Sequence, residues 1–272
     1  MVKRVSLRRG VSGERLAPAR SRMRRRALAV ALFVSAALLA VVPSAGAGVL
    51  DQSQPGIQTE AATFVSDSNH RAQTFTNGLT GSLDQVDVAV ARTLLSVTAS
   101  LLVEIRPLSG GVPGGPALAS EGLPAASVPE ALFPSAFFSV PLAPPAPVTA
   151  GVQYAIVVSS SSCGFALCYM WALGPVGNPY PAGSGLQSGN AGATWAPFSV
   201  FGSSDFPFKT HVLQPPTSKQ QCKKGGWRRF ANPSFKNQGQ CVTFVNHHGG
   251  NSGKGKEDEK GHGKKNNSGK KQ

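Results

Sequence analysis

Two stretches, LDQVDVAVAR (83–92) and VTASLLVEIR (97–106), decide the fold class. In the first, Val86, Val88 and Val90 fall on one side of an extended chain and Asp87, Ala89 and Ala91 on the other. In the second, Val97, Ala99, Leu101, Val103 and Ile105 share a side opposite Ser96, Thr98, Ser100, Glu104 and Arg106, with Leu102 as the exception. A period of two in β-branched residues marks half-buried strands. The same alternation recurs at Val152–Ser159, where Val152, Tyr154, Ile156 and Val158 align, and at Asp205–Leu213, through Phe206, Phe208, Thr210 and Val212. Shorter strands are expected at Ala62–Val65, Phe137–Leu142 and Tyr169–Ala172. PLSGGVPGGP (107–116) reads as a loop, and Pro144, Pro145 and Pro147 read as the end of the strand at 137–142. No stretch after residue 47 holds a 3.6-residue period, so the pattern predicts an antiparallel β-sandwich over residues 48–214.

The chain ahead of this domain has another character. Arg20, Arg22, Arg24, Arg25 and Arg26 lead into an apolar run from Ala27 to Val42, then Pro43 and Ser44-Ala45-Gly46-Ala47. A basic segment, a short apolar segment and an Ala-x-Ala site together predict a signal peptide over 1–47, cleaved before Gly48. The alternative is an uncleaved anchor, but the apolar run falls short of the roughly 20 residues that span a bilayer. Met23 is a second candidate start. The mature protein is thus expected to be secreted, extracellular or wall-associated, with no stable membrane span.

Charge is unevenly spread. The chain has a net charge of +14. Residues 1–47 hold 10 Lys and Arg against 1 Glu, and residues 215–272 hold 13 against 3 acids. Residues 48–214 hold only 4 against 9 acids. The domain itself is therefore mildly acidic, which argues against a specific nucleic-acid partner. Four cysteines in two close pairs, Cys163 with Cys168 and Cys222 with Cys241, favour two disulfides in an exported chain over thiols or metal ligands. Residues 246–272 are mostly Gly, Asn, Ser and Lys, with His247, His248, His262 and a brief EDE, and are expected to form a disordered basic tail.

AQTFT (72–76), LDQVDVAVAR (83–92), PGGPALAS (113–120), AGVQYAIVVS (150–159), YMW (169–171), NPYPAGSG (178–185), Trp195 and DFPFKTHV (205–212) together resemble jelly-roll domains of secreted bacterial proteins, of the galactose-binding-like and carbohydrate-binding-module-like group. The resemblance implies an all-β jelly-roll sandwich and a carbohydrate or cell-envelope polymer as partner. CKKGGW (222–227) with KNQGQCV (236–242) resembles a short module recurring in secreted actinobacterial proteins. It predicts a disulfide-closed mini-module over 218–245, with Trp227, Phe230 and Val242 as its small core.

Catalysis finds no purchase in the sequence. There is no G-x-S-x-G elbow, and His70 and His211 have no hydrolase context. Asp84 and Asp87 stand too close along a strand to flank a glycosidic bond. Binding is the function expected, with Tyr169, Trp171, Tyr180 and Trp195 as candidate ring faces for a sugar. The other reading of Trp171 and Trp195 is that they close the core. No cofactor is expected; Asp205 is a weak candidate for a structural Ca²⁺ with backbone carbonyls. The alternative function is a structural or adhesive envelope protein, held to the anionic wall by the basic tail.

Overall fold

The computed structural model describes residues 48–93, 97–163 and 168–248. The expected signal peptide (1–47) and the tail from residue 249 onward lie outside the described residues. In chain order the strands are β1 (Val49–Gln54), β2 (Ala62–Val65), β3 (His70–Thr76), β4 (Gly81–Val88), β5 (Val90–Arg92), β6 (Leu101–Ser109), β7 (Val112–Pro113), β8 (Ala119–Leu123), β9 (Phe138–Val148), β10 (Gln153–Ser160), β11 (Tyr169–Ala172), β12 (Gly185–Ser188), β13 (Ala196–Pro197) and β14 (Phe208–Leu213). Two helices follow, α1 (Lys219–Cys222) and α2 (Gln238–His248).

Every strand pair among the described residues is antiparallel. One sheet runs β1-β14-β4-β9, a second β13-β12-β3-β10-β6-β7 with β8 also on β6, and a third β2-β11-β5. Their apolar faces meet in one core. Leu83, Val86 and Val88 of β4, Val140 of β9 and Phe208 of β14 come from the first sheet. Val103 and Ile105 of β6, and Tyr154, Ile156 and Val158 of β10, come from the second. The period of two explains the filling: along β6, Leu101, Val103 and Ile105 are buried while Leu102, Glu104 and Arg106 keep partial exposure. The chain is all-β in its main domain, arranged as an antiparallel sandwich.

Several local expectations are corrected. Prolines do not end the strand at 137–142: β9 runs eleven residues, through Pro141, Pro144, Pro145 and Pro147. It lies at an edge of its sheet, where a missing N–H removes no ladder bond that a neighbour needs. The presumed loop at 107–116 is partly a hairpin, β6 continuing to Ser109 and turning at Gly110-Gly111 into β7. The LDQVDVAVAR stretch is two strands. β4 pairs with β14 and β9, and β5 pairs with β11. Val152 is exposed, outside the core face shared by Tyr154, Ile156 and Val158. β1 and β12, with little alternation of their own, take their form from their neighbours β14 and β3.

Both disulfides are present, Cys163–Cys168 and Cys222–Cys241. The second joins α1 to α2 in a module whose buried residues are Cys222, Phe230, Cys241 and Val245, together with Leu213 from the end of β14. Trp227 and Val242 pack against this cluster only partly buried, and Phe235 joins them. In the CKKGGW segment, a Cβ on Gly226 would overlap the Gln221 carbonyl oxygen, so the tight approach selects glycine. Helix α2 continues to His248, three residues beyond the expected module boundary at 245. The module docks on the sandwich through polar contacts. Ser82 Oγ accepts the Ala231 N–H at 2.7 Å, Asn232 Nδ2 donates to the Val148 carbonyl at 2.9 Å, and Arg229 Nη2 lies 3.2 Å from Asp84 Oδ2.

Candidate functional site

The four expected aromatic faces are not brought together. Trp171 on β11 is fully buried, stacked on Phe206 with centroids 4.6 Å apart, and its Nε1 donates to the Pro207 carbonyl at 3.1 Å. Tyr169, two residues earlier on the same face, is also buried and donates its hydroxyl to the Ala99 carbonyl. Burial pushes its phenol up to about 12. Tyr180 sits edge-on to Phe208 at 5.0 Å and donates to Gln52 Oε1 at 2.8 Å. Tyr169 and Trp171 fill the core because β11, the middle strand of its sheet, is buried on both faces, and Tyr180, between β11 and β12, joins the same cluster. The expectation that Tyr169, Trp171 and Tyr180 present faces to a ligand is corrected accordingly: a buried ring has no free face.

Asp205 is equally internal. Its Oδ1 accepts Gln73 Nε2 at 2.9 Å and its Oδ2 accepts the Tyr180 N–H at 3.2 Å. With its amide nitrogen turned inward, Asn178 donates to the same Oδ2 at 2.9 Å. Gln73 Oε1 in turn accepts the Phe206 N–H at 2.7 Å. This network ties β3 to the segment entering β14. Burial raises the Asp205 carboxyl above its ordinary value, and the bonds from Gln73 and Tyr180 offset part of that rise. Both oxygens are engaged by protein donors, and the described residues gather no group of three or more His, Cys, Asp or Glu that could hold a metal.

Among the described residues, the other close polar pairs are ion pairs and a His–Asp contact. His211 Nε2 lies 2.9 Å from Asp87 Oδ2. Burial alone would raise the Asp87 carboxyl, but hydrogen bonds from His211, Ser139 and Gln85 outweigh it and hold it below the usual value. Ser139 thus bonds the carboxylate, whereas a nucleophile would have to bond the imidazole. Asp84, Glu104 and Glu130 are paired with Arg229, Arg106 and Arg92.

Trp195 has a different fate. It is half-buried and lines a cleft of about 290 Å³ with Asn69, Arg71, Gln187, Ser188 and Thr194. The volume lies at the low end of ligand pockets, about 300–1,000 Å³, and suits a small unit of a larger ligand. The loop from β12 to β13 builds one wall. Asn190 Oδ1 accepts the Thr194 N–H at 2.9 Å, Asn190 Nδ2 donates to Thr194 Oγ1 at 2.9 Å, and Ser188 Oγ accepts the Gly192 N–H at 2.9 Å. The Ala191 N–H donates to the Ser68 carbonyl at 2.9 Å, which ties this loop to the turn before β3. That turn leads into His70, the first residue of β3, whose ring is 6.4 Å from the Trp195 ring. Desolvation lowers the His70 pKa below its ordinary value, against the bond its Nε2 makes to the Asp67 carbonyl. The register of β12 on β3 sets Gln187 opposite Arg71, and that of β13 on β12 sets Ala196 opposite Gln187. Three residues in one cross-strand row therefore floor the cleft.

Of the candidates the sequence named, only Trp195 keeps accessible surface in such a cleft. Arg71, Asn69, Gln187 and Thr194 carried no sequence signal, since the segment of Asn69 and Arg71 meets that of Gln187 and Thr194 only through the pairing of β3 with β12, more than a hundred residues apart. No protein-family model matches the chain, and no curated protein matches it in sequence.

Proposed function

We propose that this is an exported, non-catalytic binding protein for a carbohydrate or cell-envelope polymer, with a jelly-roll sandwich as scaffold and the Trp195 cleft as its ligand site. One observation supports the reading: a half-buried tryptophan, packed against the cluster that holds Ala72 and Leu186, lines one concave site with residues that carry amide, hydroxyl and guanidinium groups. An aromatic surface with a few convergent polar groups suits a sugar ring, which has an apolar face and a hydroxylated rim. Two disulfides support an oxidising compartment outside the cytoplasm. No helix among the described residues is long and apolar enough to cross a membrane.

The test is retention of the mature protein on insoluble polysaccharides and purified cell wall, at low and high salt, for the native chain and Trp195→Ala. Salt-resistant retention that falls at least tenfold in a folded Trp195→Ala protein is the expected result. Undiminished retention by the variant removes the cleft from consideration. Retention that vanishes at high salt for both proteins favours the basic tail as the holding element, because exposed charge attraction is screened within about 8 Å.

A further inference from the structure

Arg71 is buried, 8 % exposed, in a cleft open to solvent. Its Nε donates to Thr63 Oγ1 at 3.1 Å, and its Nη1 donates to the His70 carbonyl at 2.9 Å and to the Ser188 carbonyl at 3.5 Å. All three acceptors are neutral. No carboxylate among the described residues pairs with Arg71, whereas Arg92, Arg106 and Arg229 each have an acid. Nη2 makes no hydrogen bond to the described chain, and it is not among the polar atoms sealed from solvent without a partner. A buried cation without a counter-ion is costly, and such groups are ordinarily paired. Burial lowers its pKa to about 10, which leaves it protonated at neutral pH. The cleft thus holds a fixed positive charge, positioned by three hydrogen bonds and lacking an anion.

We propose that Arg71 receives an oxyanion carried by a sugar or polyol unit seated against Trp195, so that the ligand is an acidic glycan or envelope polymer. This rests on reading the cleft as a glycan site. A guanidinium matches carboxylate and phosphate oxygens through paired N–H donors, so the shared chemistry is an oxyanion. Gln187 and Asn69 stand beside it in the cleft to take hydroxyl groups.

The experiment uses the full mature chain, native and as Arg71→Met, Arg71→Lys and Trp195→Ala, with melting curves for each. The probes are polygalacturonate, its methyl ester, poly(glycerol phosphate) and a neutral β-glucan. At high salt, where the attraction of the basic tail is screened, the native protein is expected to hold an acidic polymer at least tenfold more tightly than the neutral one. Polygalacturonate and poly(glycerol phosphate) separate carboxylate from phosphate. Arg71→Met should bind acidic and neutral polymers alike, and Arg71→Lys should keep part of the preference. Should Arg71→Met fail to fold, the methyl ester removes the charge from the ligand side, and native binding should fall as far. Equal native binding to acidic and neutral polymers at high salt overturns the proposal, as does a preference that survives undiminished in Arg71→Met under the same salt, where the tail common to all the proteins is screened. Loss of acidic and neutral binding together in Trp195→Ala upholds the cleft itself. Full retention by Trp195→Ala sinks the cleft reading on which the proposal stands.

A separate observation concerns Gly48. Its backbone N–H donates to Asp84 Oδ2 at 3.2 Å, the oxygen that also faces Arg229. Asp84 Oδ1 is buried without a hydrogen-bond partner, and burial raises this carboxyl despite the contacts from Gly48 and Arg229. A Cβ at position 48 would overlap Asp84 Oδ1 and lie 2.8 Å from main-chain carbons of His211 and Val212. We infer that cleavage after Ala47 creates an α-ammonium that Asp84 receives, locking β1 and the C-terminal module to the same carboxylate. The inference rests on the cleavage site read from Ala45-Gly46-Ala47. The mature chain is compared with one retaining Ala47, each with and without Asp84→Asn. The native start should melt about 2–4 °C higher than the extended chain, and Asp84→Asn should erase the difference. If Asp84→Asn does not fold, Nα-acetylation of the mature chain removes the charge and should reproduce the loss. Equal melting of the first pair, or a difference that persists without the carboxylate, overturns the inference.

Discussion

The sandwich and the C-terminal module are held by different means. Between the sheets, rings and branched side chains fill a continuous interior: Tyr169, Trp171, Phe206 and Phe208 are fully buried there. The module has a far smaller cluster, in which two of the buried residues are the disulfide cysteines and one, Leu213, belongs to the sandwich. A short segment has too much surface for its volume to bury what folding needs. The contrast teaches that the covalent link and the docking contacts at Ser82, Asn232 and Arg229 do for the module what apolar area does for the sandwich.

The sharpest way to break this comparison is to charge the large core. Val103 is fully buried on β6. Val103→Asp forfeits about 1.5–3 kcal/mol of burial and adds an unpaired interior charge worth several more. Against a total stability of about 5–15 kcal/mol, no soluble folded protein is expected, as read by expression yield and circular dichroism. Trp171→Ala is next. A buried Trp→Ala costs about 3–5 kcal/mol, and the Pro207 carbonyl loses its indole donor. A melting curve should show the whole sandwich weakened.

Cys222→Ser with Cys241→Ser should act locally. Closing a loop of this span contributes about 3 kcal/mol. The module is expected to become protease-sensitive while the transition of the sandwich persists. Loss of both together would mean that the two regions fold as one unit. Ser82→Ala tests the seam. It removes an acceptor from two module N–H groups, Ala231 and Asn232, and should cost about 1 kcal/mol. Hydrogen exchange in the module should rise with little change at β6 and β10.

The smallest effect is pH-dependent and sits at the cleft. Folding lowers the His70 pKa, so the unfolded chain binds more protons than the native one as pH falls through about 6.5. The His70 contribution is intact above that value and is lost below it. Asp84 and Asp205, raised by burial, act in the opposite sense at lower pH. Between pH 7.5 and 5.5, His70→Gln should therefore show a flatter stability profile than the native chain by chemical denaturation.

Much of the fold could be read from local pattern. Ala62–Val65 and Tyr169–Ala172 form strands with the expected bounds, and the faces of β6 and β14 follow from alternation alone, whereas β10 is buried on both faces. The continuation of β9 through four prolines was not legible, because whether a proline is tolerated depends on which side of the strand lacks a neighbour. Nor was the sorting of the aromatics. Trp171 and Trp195 look alike in sequence, each in a short run beside glycine and proline. One falls on β11, the middle strand of its sheet, and the other on the loop between β12 and the edge strand β13.

The sequence by itself determined what depends on near neighbours: the period of two, the cysteine pairs and the segregation of charge into the two ends. Tertiary structure decided what depends on distant partners. Arg71 meets Gln187 through strand register and lines one cleft with Trp195, while no acid of the described chain pairs with it. Burial and electrostatic pairing are properties of the assembled sheets, so a residue's role at the cleft is fixed only when residues more than a hundred positions apart share one cross-strand row.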